Sequence, residues 1–225
     1  MAKTRGLHTL IKENSLSLVL IGLFFVFLIG LGVTGFVQNN DLLEEHGQPA
    51  VSFAQYLVSG DFIEAVFENW ESEFLQMGAL VVLTIFLRQK GSADSKKLRG
   101  ESEVDTSSRY SILHAATWKL RGRAVKSFFA SNSLSLVLFG LFLVSFVLHA
   151  VGGTAAHNNE AMWHGEEAVS VLTYVTTAQF WYESFQNWQS EFLAVGALLV
   201  LSVFLRQRGS PESKPVGAPN SKTGE

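Results

Sequence analysis

At 225 residues, a chain with 48% hydrophobic residues, 18 Phe and only 16% charged residues is too apolar for an ordinary soluble domain and points to a membrane protein. The absence of cysteine excludes disulfide frameworks, thiolate metal sites and cysteine nucleophiles. The net charge of -3 decides nothing as a total, because the charges are sorted by segment.

Residues 1–13 carry Lys3, Arg5 and Lys12 ahead of Ser15–Val37, a run without charge. That run is long enough for a helix to cross a hydrocarbon core of about 30 Å. It is too long for the core of a signal peptide and is followed by QNNDLLEEHG rather than a small-residue cleavage site, so it is expected to remain as an anchor. The outer segment Gln38–Glu73 then holds eight acids and neither Lys nor Arg. The apolar stretch Phe74–Leu87 is too short to span alone. Phe62, Ile63, Val66, Phe67, Trp70 and Phe74 recur upstream at helical spacing, so one helix is predicted over Asp61–Arg88, its outer turns amphipathic.

A basic linker follows. Within it Tyr110, Leu113, Thr117, Leu120, Ala124 and Phe128 share one helical face and Arg109, Lys119, Arg123 and Lys126 lie off it, which predicts an amphipathic helix on anionic lipid headgroups, against the plainer reading of a solvated linker helix. A third span, Ser131–Thr154, is interrupted only by His149, and a fourth helix is predicted over Gln179–Arg206. The tail Gly209–Glu225, with Pro211, Pro215 and Pro219, is expected to be disordered. All 17 Lys and Arg fall on one side of the four spans, the side that the positive-inside rule assigns to the cytoplasm, with both termini.

Asn69–Arg88 reads NWESEFLQMGALVVLTIFLR and Asn187–Arg206 reads NWQSEFLAVGALLVLSVFLR, an offset of 118. At that offset roughly half the positions of Asn14–Lys96 match Asn132–Lys214, the mark of an internal duplication. Two spans per copy keep both copies in one orientation, a parallel repeat. The expected organisation is a membrane repeat over 1–90, a cytoplasmic linker over 91–128, a second repeat over 129–208 and the tail over 209–225. The fold class is all-α: four transmembrane helices as two tandem helical hairpins, with outer amphipathic caps His46–Trp70 and His164–Trp188.

The signatures NSLSLVL, HG, AVS, NW(E/Q)SEFL, GAL, FLRQ(K/R)GS and SK, present in both halves, resemble a family of bacterial integral membrane proteins known as a domain of unknown function. The resemblance implies a bacterial inner-membrane location. It supplies no activity, substrate or cofactor.

The duplication retained Asn69, Trp70, Ser72 and Glu73 as Asn187, Trp188, Ser190 and Glu191, but replaced the acidic stripe Asp61, Glu64, Glu68 and Glu71 by Gln179, Tyr182, Gln186 and Gln189. Asn69 and Glu73 are four apart, and Val66 and Met77 extend that face, which predicts that Glu73 is turned towards protein. Glu73 and Glu191, with Asn69 and Asn187, are therefore the candidate ion or proton site, against the plainer reading of an interfacial carboxylate bonded to its asparagine. The stripe is expected to be solvated. Trp70 and Trp188 are expected as interface anchors, the ring apolar and the N–H wet. His46 and His164, each followed by Gly, are expected to order loops rather than bind metal, because no HExxH or paired-His spacing exists. His149 and His157 stand where the first half has Leu31 and Asn39.

Gly30, Gly32 and Gly35 spell GxGxxG inside an apolar span, where close helix approach through small residues explains them better than a dinucleotide loop. No Walker loop, nucleophile elbow or catalytic triad is present, no catalytic residue or cofactor is indicated, and the basic linker fits lipid rather than nucleic acid. Three function classes follow in order of preference: a non-enzymatic scaffold or accessory subunit, a small cation- or proton-coupled transporter or channel, for which a homodimer would serve best, and a membrane-embedded enzyme.

Overall fold

The computed structural model describes residues 7–100, 102, 104–105 and 128–223. Among these it is all-helical, with no strand: α1 (Leu7–Glu13), α2 (Ser15–Glu45), α3 (Phe53–Tyr56), α4 (Gly60–Phe86), α5 (Ser133–Trp163), α6 (Val171–Tyr174) and α7 (Ala178–Phe204). The predicted linker helix lies outside the described residues except for Phe128.

α2 and α5 are 31 residues each, α4 and α7 are 27 each, and each of α5, α6 and α7 starts and stops 118 positions after α2, α3 and α4. α4 and α7 fall within two residues of their predicted bounds. α2 and α5 run past their predicted C-terminal ends, to Glu45 and Trp163. What stops them is the His-Gly pair. Gly47 (φ 66°) and Gly165 (φ 73°) take the left-handed conformation, Gln48 N–H reaches Leu43 O at 2.8 Å, and Glu166 N–H reaches Ala161 O at 2.8 Å. These are Schellman closures.

Among the described residues, three helices are long and apolar enough to cross a membrane: α2, α5 and α7. The expected fourth, α4, has the length but not the composition, since Glu68 and Glu71 stand where α7 has Gln186 and Gln189. The side chains of α2 are largely uncovered, Leu16, Phe27 and Ile29 among them, as a lipid-facing helix requires.

The chain forms two compact units, neither of them one sequence half: residues 1–65 with 151–170, and residues 66–150 with 171–225. In the first, Asn40 clamps the loop beyond α2: its Oδ1 accepts from Val51 N at 2.8 Å and its Nδ2 donates to Val51 O at 3.2 Å. Asn158 makes the same pair of bonds with Val169, at 2.8 and 3.0 Å. Ser52 then opens α3 with a capping box, Ser52 N–H donating to Gln55 Oε1 at 2.8 Å. The close approach expected of Gly30, Gly32 and Gly35 is made elsewhere. Gly30 faces open space, while Gly35 leaves room for the Tyr56 ring. The backbone-to-backbone contact is between Gly60 and Gly152: a Cβ on Gly152 would lie 2.6 Å from Glu64 N, and one on Gly60 2.5 Å from Ala156 N.

In the second unit, FLRQ(K/R)GS is a helix stop. Gly91 (φ 88°) and Gly209 (φ 82°) turn the chain, and the hydroxyls of Ser95 and Ser213 accept from Gln89 N (2.9 Å) and Gln207 N (2.8 Å). The tail, expected to be disordered, forms turns over residues 209–223. The Lys214 ammonium donates to Pro219 O and Asn220 O, and Arg206 Nη2 donates to Ala218 O and Asn220 Oδ1.

Candidate functional site

The second unit brings the polar faces of α4, α5 and α7 together on one cluster. Its centre is His149, fully buried on α5. From Ser133 to His149 the helix rises roughly 24 Å, within the thickness of a hydrocarbon core. His149 Nδ1 donates to Glu71 Oε2 at 2.9 Å, and Glu71 is also fully buried. The other Glu71 oxygen accepts from Trp188 Nε1 at 2.9 Å. His149 Nε2 lies 3.6 Å from Glu183 Oε2, beyond hydrogen-bond length, and has no hydrogen-bond partner.

Each group is held in place. Phe180, fully buried, stacks on the imidazole with ring centroids 4.8 Å apart and planes 27° apart. Glu183 accepts from the Tyr174 hydroxyl at 3.0 Å and from Gln179 Nε2 at 3.1 Å. Tyr174 is fully buried, at the end of α6, and Thr177 caps α7 through Phe180 N. Ser184 Oγ is a second buried polar atom without a partner. Glu68, one turn before Glu71, is close enough to interact by charge with His149, Glu183 and Glu71. Chemically, this is an imidazole between carboxylates, with one ring nitrogen committed and the other open.

The predicted site residues fall differently. Glu73 is exposed, and so is Asn69, while Glu191 and Asn187 are half-buried. Glu73 and Glu191 interact by charge, whereas the hydrogen bonds of the His149 cluster run to Glu71 and Trp188. Asn187 Nδ2 donates to Glu183 O at 3.1 Å. The face assignment fails at Met77, which is exposed; Glu71, Ser72 and Gln76 are buried instead, and Glu71 bonds to His149 of α5. Glu71, read as a solvated member of the stripe, is thus the most deeply buried acid of α4, and a change there is not the mild one expected of an exposed acid. Trp188 is more than an anchor with a wet N–H, because that N–H is spent on Glu71; Trp70 is half-buried with its ring 5.1 Å from Phe67. His46 Nδ1 lies 2.9 Å from Leu42 O, and its ring stacks on Trp163 at 4.8 Å and meets His164 edge-on at 6.1 Å. Both histidines sit at the helix ends that Gly47 and Gly165 close.

The residues that the sequence reading missed are Glu71, His149 and Glu183. All three differ between the halves, standing opposite Gln189, Leu31 and Ala65. The signal was His149 itself: an ionisable residue within an apolar run needs a partner of opposite charge. The model of one family, described as Domain of unknown function (DUF6766), matches residues 7–225. No curated protein and no solved structure matches the chain.

Proposed function

This chain belongs to the DUF6766 family, and from that premise, which brings no activity with it, we propose a multi-pass membrane protein whose embedded carboxylate–imidazole cluster holds a cation. One observation carries the reading: His149 and Glu71 are fully buried and bonded to each other between α5 and α4, with Glu183 3.6 Å from the free ring nitrogen. Ionisable groups at such depth mark functional sites by default. Charge balance says which function. Glu68, Glu71 and Glu183 act on His149, while residues 38–73 and 155–191 contain neither Lys nor Arg. One imidazole cannot neutralise three carboxylates, and leaving the excess in a desolvated site costs several kcal/mol. A proton or a metal cation from solution supplies the difference. This is the cation- or proton-coupled class of transporter or channel, with its centre moved from Glu73 and Glu191 to Glu71, His149 and Glu183.

The same reading takes α4 as a fourth span, on the strength of its equal length and its retained apolar end Phe74–Phe86. Two spans per repeat and the one-sided Lys and Arg support a cytoplasmic side for both termini. The resemblance suggests a bacterial inner membrane, and the basic linker suits anionic headgroups. Four helices provide little room for a pathway, which favours a homodimer.

A second reading, a non-enzymatic scaffold or accessory subunit, is favoured by the closure of the Glu71 bonds: with both oxygens satisfied, the cluster can serve as polar glue between helices. The experiment that separates them compares cation-dependent thermal stabilisation and proton uptake of wild type with Glu71→Gln and Glu183→Gln. The cation reading expects both responses to fall in the variants. Identical responses in all three proteins leave the scaffold.

A further inference from the structure

We infer that the cation is a divalent metal ion, held by His149 Nε2 and the Glu183 carboxylate, with Glu71 as the acid that orients the imidazole from behind. The inference rests on the cation-binding reading above and narrows it to a chemical class.

The free ring nitrogen is the first reason. With Nδ1 donating to Glu71, the neutral form of the ring would present a lone pair at Nε2, an atom that is buried and has no hydrogen-bond partner. Buried polar nitrogens are almost always partnered, so an orphan at the centre of a cluster needs an explanation. The second reason is spacing. Nε2 and Glu183 Oε2 are 3.6 Å apart, too far for a hydrogen bond. Two ligand atoms on one tetrahedral ion, with bonds of about 2.0–2.2 Å, lie about 3.4 Å apart. The separation therefore suits an ion between the two atoms better than a proton.

Orientation is the third. A ligating histidine usually gives its other N–H to a carboxylate, which fixes the tautomer and strengthens the ligand. Glu71 does this at 2.9 Å and is itself fixed by Trp188 Nε1. Phe180 holds the ring plane, and Tyr174 and Gln179 hold Glu183 while leaving its second Oε2 lone pair open. Glu68 interacts by charge with both His149 and Glu183, which adds to the negative field a cation would meet there. Imidazole nitrogen with carboxylate oxygen and no thiolate selects zinc, manganese or iron(II) over copper(I).

The test uses the full chain purified in detergent and stripped with a chelator. Zn²⁺ and Mn²⁺ are titrated separately by calorimetry, and Co²⁺ absorption reports coordination geometry. One equivalent per chain is expected. Glu183→Gln, which keeps the size and the acceptor for Tyr174, should bind about 100-fold more weakly, and Glu71→Gln about 10–100-fold more weakly because it only orients the ligand. Glu73→Gln should bind as wild type. Melting curves of the metal-free variants establish that a lost affinity is not lost fold. No binding by wild type, or wild-type affinity in a folded Glu183→Gln, overturns the inference. Proton uptake by the same metal-free samples separates the two levels. Uptake that depends on Glu71 and His149 without metal binding removes the metal and keeps the cation reading. Absence of both removes both.

Discussion

Replacing His149 alone should cost more than replacing His149 and Glu71 together. His149→Leu leaves Glu71 buried and charged with Trp188 as its one remaining donor, and breaking a buried pair from one side costs about 3–5 kcal/mol. Glu71→Gln keeps one acceptor oxygen for two donors and turns an amide N–H₂ towards the other. That mismatch costs about 1–3 kcal/mol, the desolvation of a buried group left unsatisfied. The double variant His149→Leu/Glu71→Gln removes the imidazole and leaves a neutral glutamine bonded to Trp188. It also reproduces what the opposite halves already contain at these places, Leu31 and Gln189. Its loss should be smaller than that of His149→Leu alone, a coupling of roughly 2–3 kcal/mol. The assay is equilibrium unfolding in mixed micelles with chelator present, so that only the pair is measured. Losses that add within about 0.5 kcal/mol would mean that the two groups do not sense one another, and the cluster would lose its central bond.

Gly152→Ala should lower the melting temperature, since its Cβ would meet Glu64 N at 2.6 Å and overpacking of this kind costs about 1–3 kcal/mol. Gly30→Ala, which faces open space, is the control and should change little. Trp188→Phe removes the donor to a Glu71 oxygen and should destabilise by about 1.5–3 kcal/mol, the range for bonds to charged groups, with little further loss once Glu71→Gln is present. For topology, single cysteines placed in this cysteine-free chain at Arg99 and Gln48, both exposed, should react with an impermeant reagent in intact cells at Gln48 and not at Arg99. Labelling at Arg99 instead would invert the orientation.

The helices were legible because their causes are local. Apolar runs and a helical period set α4 and α7 to within two residues, and His-Gly and Gly-Ser pairs turned out to be stops whose hydrogen bonds lie within six residues. Burial was not legible, because it depends on which helices meet. Glu71 and Glu73 are two positions apart and point to different faces of one helix, and periodicity cannot say which face α5 covers. Matching the two halves favoured Glu73, which both retain, over Glu71, which only one does. The cluster is built from differences: an acid kept by the first half, an imidazole gained by the second and Glu183 opposite Ala65. A comparison that looks for what copies share passes over a site that their divergence made.

The asparagine clamps constrain how this chain can change in length. Asn40 and Asn158 each hold a valine eleven residues on through its N–H and its C=O at once, so one side chain stands in for a neighbouring strand. Closing a loop of this size costs about 2 kcal/mol in chain entropy, and two hydrogen bonds of about 1 kcal/mol each offset it. Letters between the pinned ends are free to drift, but their number is not. An added or lost residue carries the valine out of reach of the amide, and an aspartate at position 40 or 158 keeps the acceptor while losing the donor. Insertions within 41–50 or 159–168 are therefore tolerated only in chains that have first given up the asparagine.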